Sequence, residues 1–162
     1  MKLHELIKAA ADYDRGDPKR VQHFLKVYAF AETIGGSEEL SPRETDILRA
    51  AAVLHDIGIR ECERKYGSCA GELQQTEGVP VARDILGSLG ADAELTDRVC
   101  FLIAHHHTYS GIDSADWQIL VEADFLVNIY EEEMSQSAVK SVREKIFKTS
   151  AGKKLLDTLY LS

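Results

Sequence analysis

The sequence predicts an all-α fold, a compact bundle of about seven to nine helices, and three observations carry that expectation. Apolar residues recur at helical spacing along most of the chain, helix-start and helix-stop residues bracket the apolar stretches, and no stretch shows a convincing strand pattern. Composition agrees: only 3 of 162 residues are proline, and Ala, Leu, Glu, Lys and Arg recur throughout. With 44% hydrophobic and 28% charged residues, the chain is apolar enough to bury a core without disulfide or metal staples.

The elements follow in order. An opening helix is expected from Leu3 to about Asp14, broken at Gly16. Asp17 is an N-cap with Pro18 at the first helical position, and the next helix runs through VQHFLKVYAFAETI to stop at Gly35-Gly36. Ser41-Pro42-Arg43-Glu44 is a capping-box start for a third helix ending near Gly58. The polar stretch from Arg60 to Gly78 reads as a short helix and a loop, after which Pro80 opens a helix closed by Gly90. A further helix spans Leu95 to about His107. Trp117 to Tyr130 is apolar almost all round, the mark of a central buried helix. Amphipathic pieces near 136–148 and 151–160 complete what reads as a single domain over 1–162.

The net charge of −8 argues against a nucleic-acid or membrane-surface binder, which needs clustered Lys and Arg. It leaves room for a small anionic substrate, because a local metal ion outweighs the global balance. Three cysteines without CxxC spacing fit reduced thiols and a cytoplasmic location. The acidic, amphipathic N-terminus does not resemble a signal peptide, and no apolar run approaches the roughly 20 residues of a membrane span. A homo-oligomer is left open.

Polar residues on apolar helix faces carry the functional information. His23 shares a face with Val27 and Phe30; His55 and Asp56 close a helix whose preceding turns are Ala50-Ala51-Ala52-Val53-Leu54; Asp124 stands amid Val121, Ala123, Phe125 and Val127. A lone histidine on such a face also reads as a satisfied core residue, and a His-Asp pair as an accident of a helix end. The carboxylates also read as caps or as partners of an arginine, but Asp124 is harder to explain in that way, since capping is unavailable mid-helix and an unpaired buried carboxylate costs about 3 kcal/mol. Two imidazoles and two carboxylates make a suitable ligand set for a divalent transition metal (Fe, Mn, Zn, Co or Ni), with coordination positions left for water and substrate.

These residues resemble the HD-domain superfamily of metal-dependent phosphohydrolases. The likeness rests on His23 in KRVQHFLKV, the doublet in AAVLHDIGI and Asp124 in ILVEADFLVN, where Glu122 stands for the first Asp of an Asp-Ala-Asp-x-Leu element. The matches span residues 23 to 128. The resemblance implies a mononuclear site of His23, His55, Asp56 and Asp124, and hydrolysis of phosphate esters. Relatives with two metals add a histidine after the doublet and an Ile-x-x-His-His element. Ile103 to His107 offers the latter; His106 extends the stripe Leu95, Val99, Leu102 and is expected to face inward, with His105 and His107 flanking it toward substrate or solvent.

The other extra histidine is missing, with Gln74, Gln75 and Glu77 as polar substitutes, so one ion is expected rather than two. Glu77 is a candidate ligand for a second ion, although a loop carboxylate is ordinarily solvated. Arg60 and Lys65 are candidate phosphate contacts, Tyr109 and Asn128 candidate supports behind the ligands, and the general acid is open between His106, Glu77 and a second water. The elements typical of guanosine-polyphosphate hydrolases, cyclic-di-GMP phosphodiesterases and deoxynucleoside monophosphatases are absent. The resulting expectation is hydrolysis of a small phosphorylated metabolite, such as a nucleotide. A diiron oxygenase and a non-catalytic metal- and ligand-binding regulatory module are the alternatives.

Overall fold

The computed structural model describes all 162 residues and contains nine α-helices and no strand. The caps read from sequence form as expected. Helix α1 (Leu3–Tyr13) leads through Gly16, at φ +88°, to α2 (Pro18–Gly35), whose Asp17 side chain accepts from the Arg20 amide. Helix α3 (Pro42–Leu54) starts with both halves of the Ser41–Glu44 capping box in place. It ends four residues before Gly58, so that His55 and Asp56 lie on a hydrogen-bonded turn at its C-terminal end.

Helix α4 (Ile59–Tyr66) stops at Gly67, in the left-handed region at φ +71°. Helix α5 (Gly71–Ser88) departs from expectation: it is continuous through Pro80 instead of beginning there, and it includes Glu77. Proline removes the bond to the carbonyl four residues back, here Thr76. Both Pro80 and Thr76 lie on the exposed side of α5, so water can serve that carbonyl and the helix continues.

Helix α6 (Ala93–His105) is capped by Asp92, and α7 (Ala115–Glu131) follows it. Eleven residues of α7 are buried, and it packs on α2 and α3 at the centre of the bundle. A single cluster of 31 buried apolar residues, drawn from every helix except α4, forms the core. No helix is long and apolar enough to cross a membrane.

The C-terminal helices α8 (Gln136–Lys145) and α9 (Ser150–Leu156), with a closing π-helical turn (Asp157–Leu161), are tied to α7 by Glu122. This carboxylate is fully buried. One of its oxygens accepts from the Lys148 and Thr149 amides at 2.6 and 2.9 Å and from Gln118 Nε2 at 2.7 Å, and the other takes the Thr149 hydroxyl. Glu122→Ala would strand several buried donors and is expected to cost about 3 kcal/mol. A loss below about 1 kcal/mol in urea unfolding would contradict this anchoring role.

Candidate metal centre

Three elements converge on one point. His23 comes from the middle of α2, His55 and Asp56 from the turn after α3, and Asp124 from the middle of α7. His23 Nε2 lies 3.2 Å from His55 Nε2, 3.2 Å from Asp124 Oδ1 and 3.4 Å from Asp56 Oδ2; His55 Nε2 lies 3.5 Å from both carboxylates. The Asn128 amide donates to Asp124 Oδ1 at 3.0 Å.

The outer nitrogens fix which way the rings present their lone pairs. His55 Nδ1 donates to the Ala52 carbonyl at 2.9 Å and His106 Nδ1 to the Ile103 carbonyl at 2.7 Å. A carbonyl only accepts, so each neutral ring keeps its Nε2 lone pair facing inward. His23 Nδ1 meets Glu131 Oε2 at 2.8 Å to the same effect.

The electrostatics match a cation site. Burial penalises a charged His55, yet Asp56 and Asp124 overcome that penalty and hold its pKa well above the usual imidazole range; His23 is raised in the same way by Asp124 and Asp56. Burial opposes charge on the carboxylates too, but the imidazoles hold Asp56 and Asp124 well below the usual range. Anionic carboxylates among inward nitrogens are what a divalent ion requires.

A second group shares Asp56. His106 Nε2 is fully buried, has no hydrogen-bond partner and lies 3.4 Å from Asp56 Oδ1, the oxygen turned away from His23 and His55. With His107 these side chains form a further set that could hold an ion, beside the set of His23, His55 and Asp56. His107 joins because α6 ends at His105 and the chain turns there. Its Nε2 pairs with Gln74 Oε1 at 2.7 Å and its amide donates to Gln75 Oε1 at 3.0 Å, while Tyr109 Oη lies 3.3 Å from its Nδ1. Burial and the neighbouring His106 push the His107 pKa down to about 4.

Four sequence candidates are not brought to this centre. His105 stacks on Phe101 at 4.1 Å and gives Nδ1–H to the Phe101 carbonyl. Arg60 donates to the Tyr13 and Arg15 carbonyls, serving the C-terminal end of α1. Glu77, on the buried side of α5 and not in a loop, pairs with Lys65 at 2.5 Å and Tyr66 at 2.9 Å beside a separate cavity lined by Tyr13 and Pro80.

The cleft that opens on the centre, about 420 Å³, is lined instead by Lys19, Arg20, Gln74, Asn128, Glu131 and Glu132 among others. Lys19 and Arg20 precede His23 by four and three residues, and Glu131 follows Asp124 by seven. Helical spacing from the ligands was the signal that could have found them.

Arg20 is shared among Asp14, Asp17 and Glu63. Asp14 is only 1% exposed, its Oδ1 lies 3.6 Å from Arg20 without a hydrogen bond, and burial pushes its carboxyl up to about 6. A raised carboxyl pKa penalises the folded state once the group ionises: nothing below about pH 4, and roughly 3 kcal/mol at most above pH 6. Asp14→Asn is therefore expected to raise Tm by several degrees at pH 8 and hardly at pH 4. Equal melting shifts at the two pH values would refute this.

The fold is thus an all-helical bundle that gathers His, His-Asp and Asp beside a cleft, with side chains that could hold a metal ion. The HD domain sequence profile matches residues 20–148, and the chain belongs to the HD domain family. The fold also matches a crystal structure of a predicted HD superfamily hydrolase from an uncultured Thermotogales bacterium, with TM-score 0.69 and 24% identity over 98% of this chain and 84% of that one. No curated protein matches the sequence. Membership in this family supports a metal-dependent hydrolase in general terms.

Proposed function

We propose that this single HD domain hydrolyses a phosphate ester of a small metabolite, with one divalent transition metal held by His23, His55, Asp56 and Asp124. The observation that carries this reading is the convergence of those four side chains within 3.2–3.5 Å at the floor of an open cleft. When bound, such an ion supplies Lewis acidity toward a phosphoryl oxygen and lowers the pKa of water.

The chain's own residues do the rest. Asn128 holds Asp124 oriented, and the Nδ1 contacts hold the imidazoles. Lys19, exposed at the rim and bonded to no carboxylate, is the cation free to meet a phosphate, whereas Arg20 is already neutralised. Glu77 is engaged by Lys65 and Tyr66, and the neutral His106 ring keeps its proton on Nδ1 against the Ile103 carbonyl, which leaves solvent in the cleft as the proton source for a leaving group.

The test is phosphate release by purified, metal-replete protein across a broad panel of phosphomonoesters and phosphodiesters. No release by protein that retains its metal would end the proposal.

A second reading is favoured by one observation, the orphaned Nε2 of His106 beside Asp56. It supports a second ion at Asp56, His106 and His107, and with iron in both positions an oxygenase. Metal analysis after expression in iron-rich medium separates the two. One equivalent of metal and no oxygen consumption leave the mononuclear hydrolase standing.

A further inference from the structure

His23 differs from the other inward imidazoles in what holds its outer nitrogen. His55 and His106 stand just past the ends of their helices and reach back to carbonyls three residues earlier. His23 lies in the interior of α2, where the neighbouring carbonyls belong to the helix ladder. Its Nδ1 is met by a side chain from another element, Glu131 Oε2 at 2.8 Å. The other oxygen of Glu131 is fixed by Lys26 Nζ at 2.5 Å.

The spacing makes this a two-helix clamp. Lys26 follows His23 by three residues, so both project from one face of α2. Glu131 follows Asp124 by seven residues, two helical turns along one face of α7, with Asn128 between them. One stripe of α7 thus carries a ligand, that ligand's hydrogen-bond donor, and the carboxylate behind a ligand on α2. Glu131 is 16% exposed and lines the cleft, so water competes weakly for the contact.

We propose that Glu131 is a positioning residue for the metal centre. It holds His23 in the tautomer with hydrogen on Nδ1 and sets the ring so that Nε2 faces Asp56 and Asp124, while Lys26 locks the Glu131 rotamer. A carboxylate behind a metal-ligating histidine orients the ring and strengthens it as a donor. The inference rests on the metal reading above.

The experiment compares wild type with Glu131→Gln, Glu131→Asp and Glu131→Ala. Mn²⁺ and Zn²⁺ affinities are measured by competition with a chromogenic chelator, and the urea midpoint of each metal-free protein is recorded alongside. Glu131→Ala is expected to weaken affinity roughly 10- to 100-fold. Glu131→Gln, which still accepts from Nδ1 but without charge, is expected to fall between it and wild type, and Glu131→Asp to recover part of the loss if water bridges the shorter reach. Metal-free urea midpoints should stay close to wild type for Glu131→Gln. Affinities within twofold of wild type for both Gln and Ala overturn the inference alone, as does loss of affinity that only tracks lost metal-free stability. A wild-type chain that takes up neither ion overturns the metal reading and this inference together.

Discussion

Asp56→Ala is expected to yield a folded chain that holds no divalent ion and releases no phosphate above background. Asp56 is the one side chain that faces both donor groups, with Oδ2 toward His23 and His55 and Oδ1 toward His106. Loss of activity by at least about 10³-fold, roughly 4 kcal/mol at the barrier, is the scale expected when metal is lost altogether. If the wild-type chain turns nothing over and Asp56→Ala only lowers affinity for a ligand, the regulatory-module reading takes the place of the enzyme.

The same substitution changes pH behaviour in a way that loss of activity alone would not. In the metal-free chain Asp56 sits below its ordinary pKa and His55 above it. A lowered carboxylate stabilises the fold above its unfolded pKa near 4 and loses that contribution as pH falls toward the folded value. A raised imidazole contributes fully below about pH 6.5 and loses its contribution as pH rises through the folded value. The pair therefore stabilises the metal-free protein most between about pH 4 and 6.5. Metal affinity runs the other way, because the ion needs deprotonated imidazoles and its uptake releases protons. Thermal melts of metal-free wild type should peak inside that window, and the peak should flatten in Asp56→Ala. Metal affinity that fell as pH rose from 6 to 8 would contradict this account.

What the sequence disclosed was local in origin. Asp17-Pro18 and Ser41-Pro42-Arg43-Glu44 declare helix starts because the capping atoms lie within three residues of the amides they serve. The α7 helix declared itself central by being apolar on all sides, and Asp124 stood out against that background. Matters set by contacts distant in sequence were not legible. The continuity of α5 depends on which side of the helix Pro80 falls. Arg60 was read as a phosphate contact because it follows the doublet, whereas its direction is set by the carbonyls ending α1, 45 and 47 residues earlier. The seven-residue spacing from Asp124 could have placed Glu131 on the ligand stripe of α7, but its pairing with His23, 108 residues away, could not be read.

Gly58 is where fold and site depend on a single missing atom. Its backbone is ordinary, at φ −75° and ψ −16°, so conformational freedom is not the reason for glycine. Space is. A Cβ here would lie 2.5 Å from the Gln74 carbonyl oxygen, 2.5 Å from the Gly78 nitrogen and 2.8 Å from the Gly78 Cα. All three are backbone atoms of α5, so no rotamer change relieves the clash, and α5 would have to back away. It cannot do so freely, because a Cβ at Gly78 would already meet Ile103 Cγ2 at 2.9 Å, which shows how closely α5 lies on α6. Gly58→Ala is expected to cost about 3 kcal/mol or more by overpacking. In a chain of this size that lowers Tm by roughly 6–12 °C. Gly87→Ala, in α5 with nothing within 4 Å of its Cβ position, is the control and should be neutral or stabilising by up to about 1 kcal/mol. A Gly58→Ala protein melting within about 2 °C of wild type would refute the close-approach argument. The displacement should also be felt unevenly at the centre. Gln74 rides on α5 and holds His107, whereas His23 and Asp124 stand on α2 and α7. At a temperature where Gly58→Ala remains folded, uptake of a first ion should persist, and any second ion at Asp56, His106 and His107 should be lost before it.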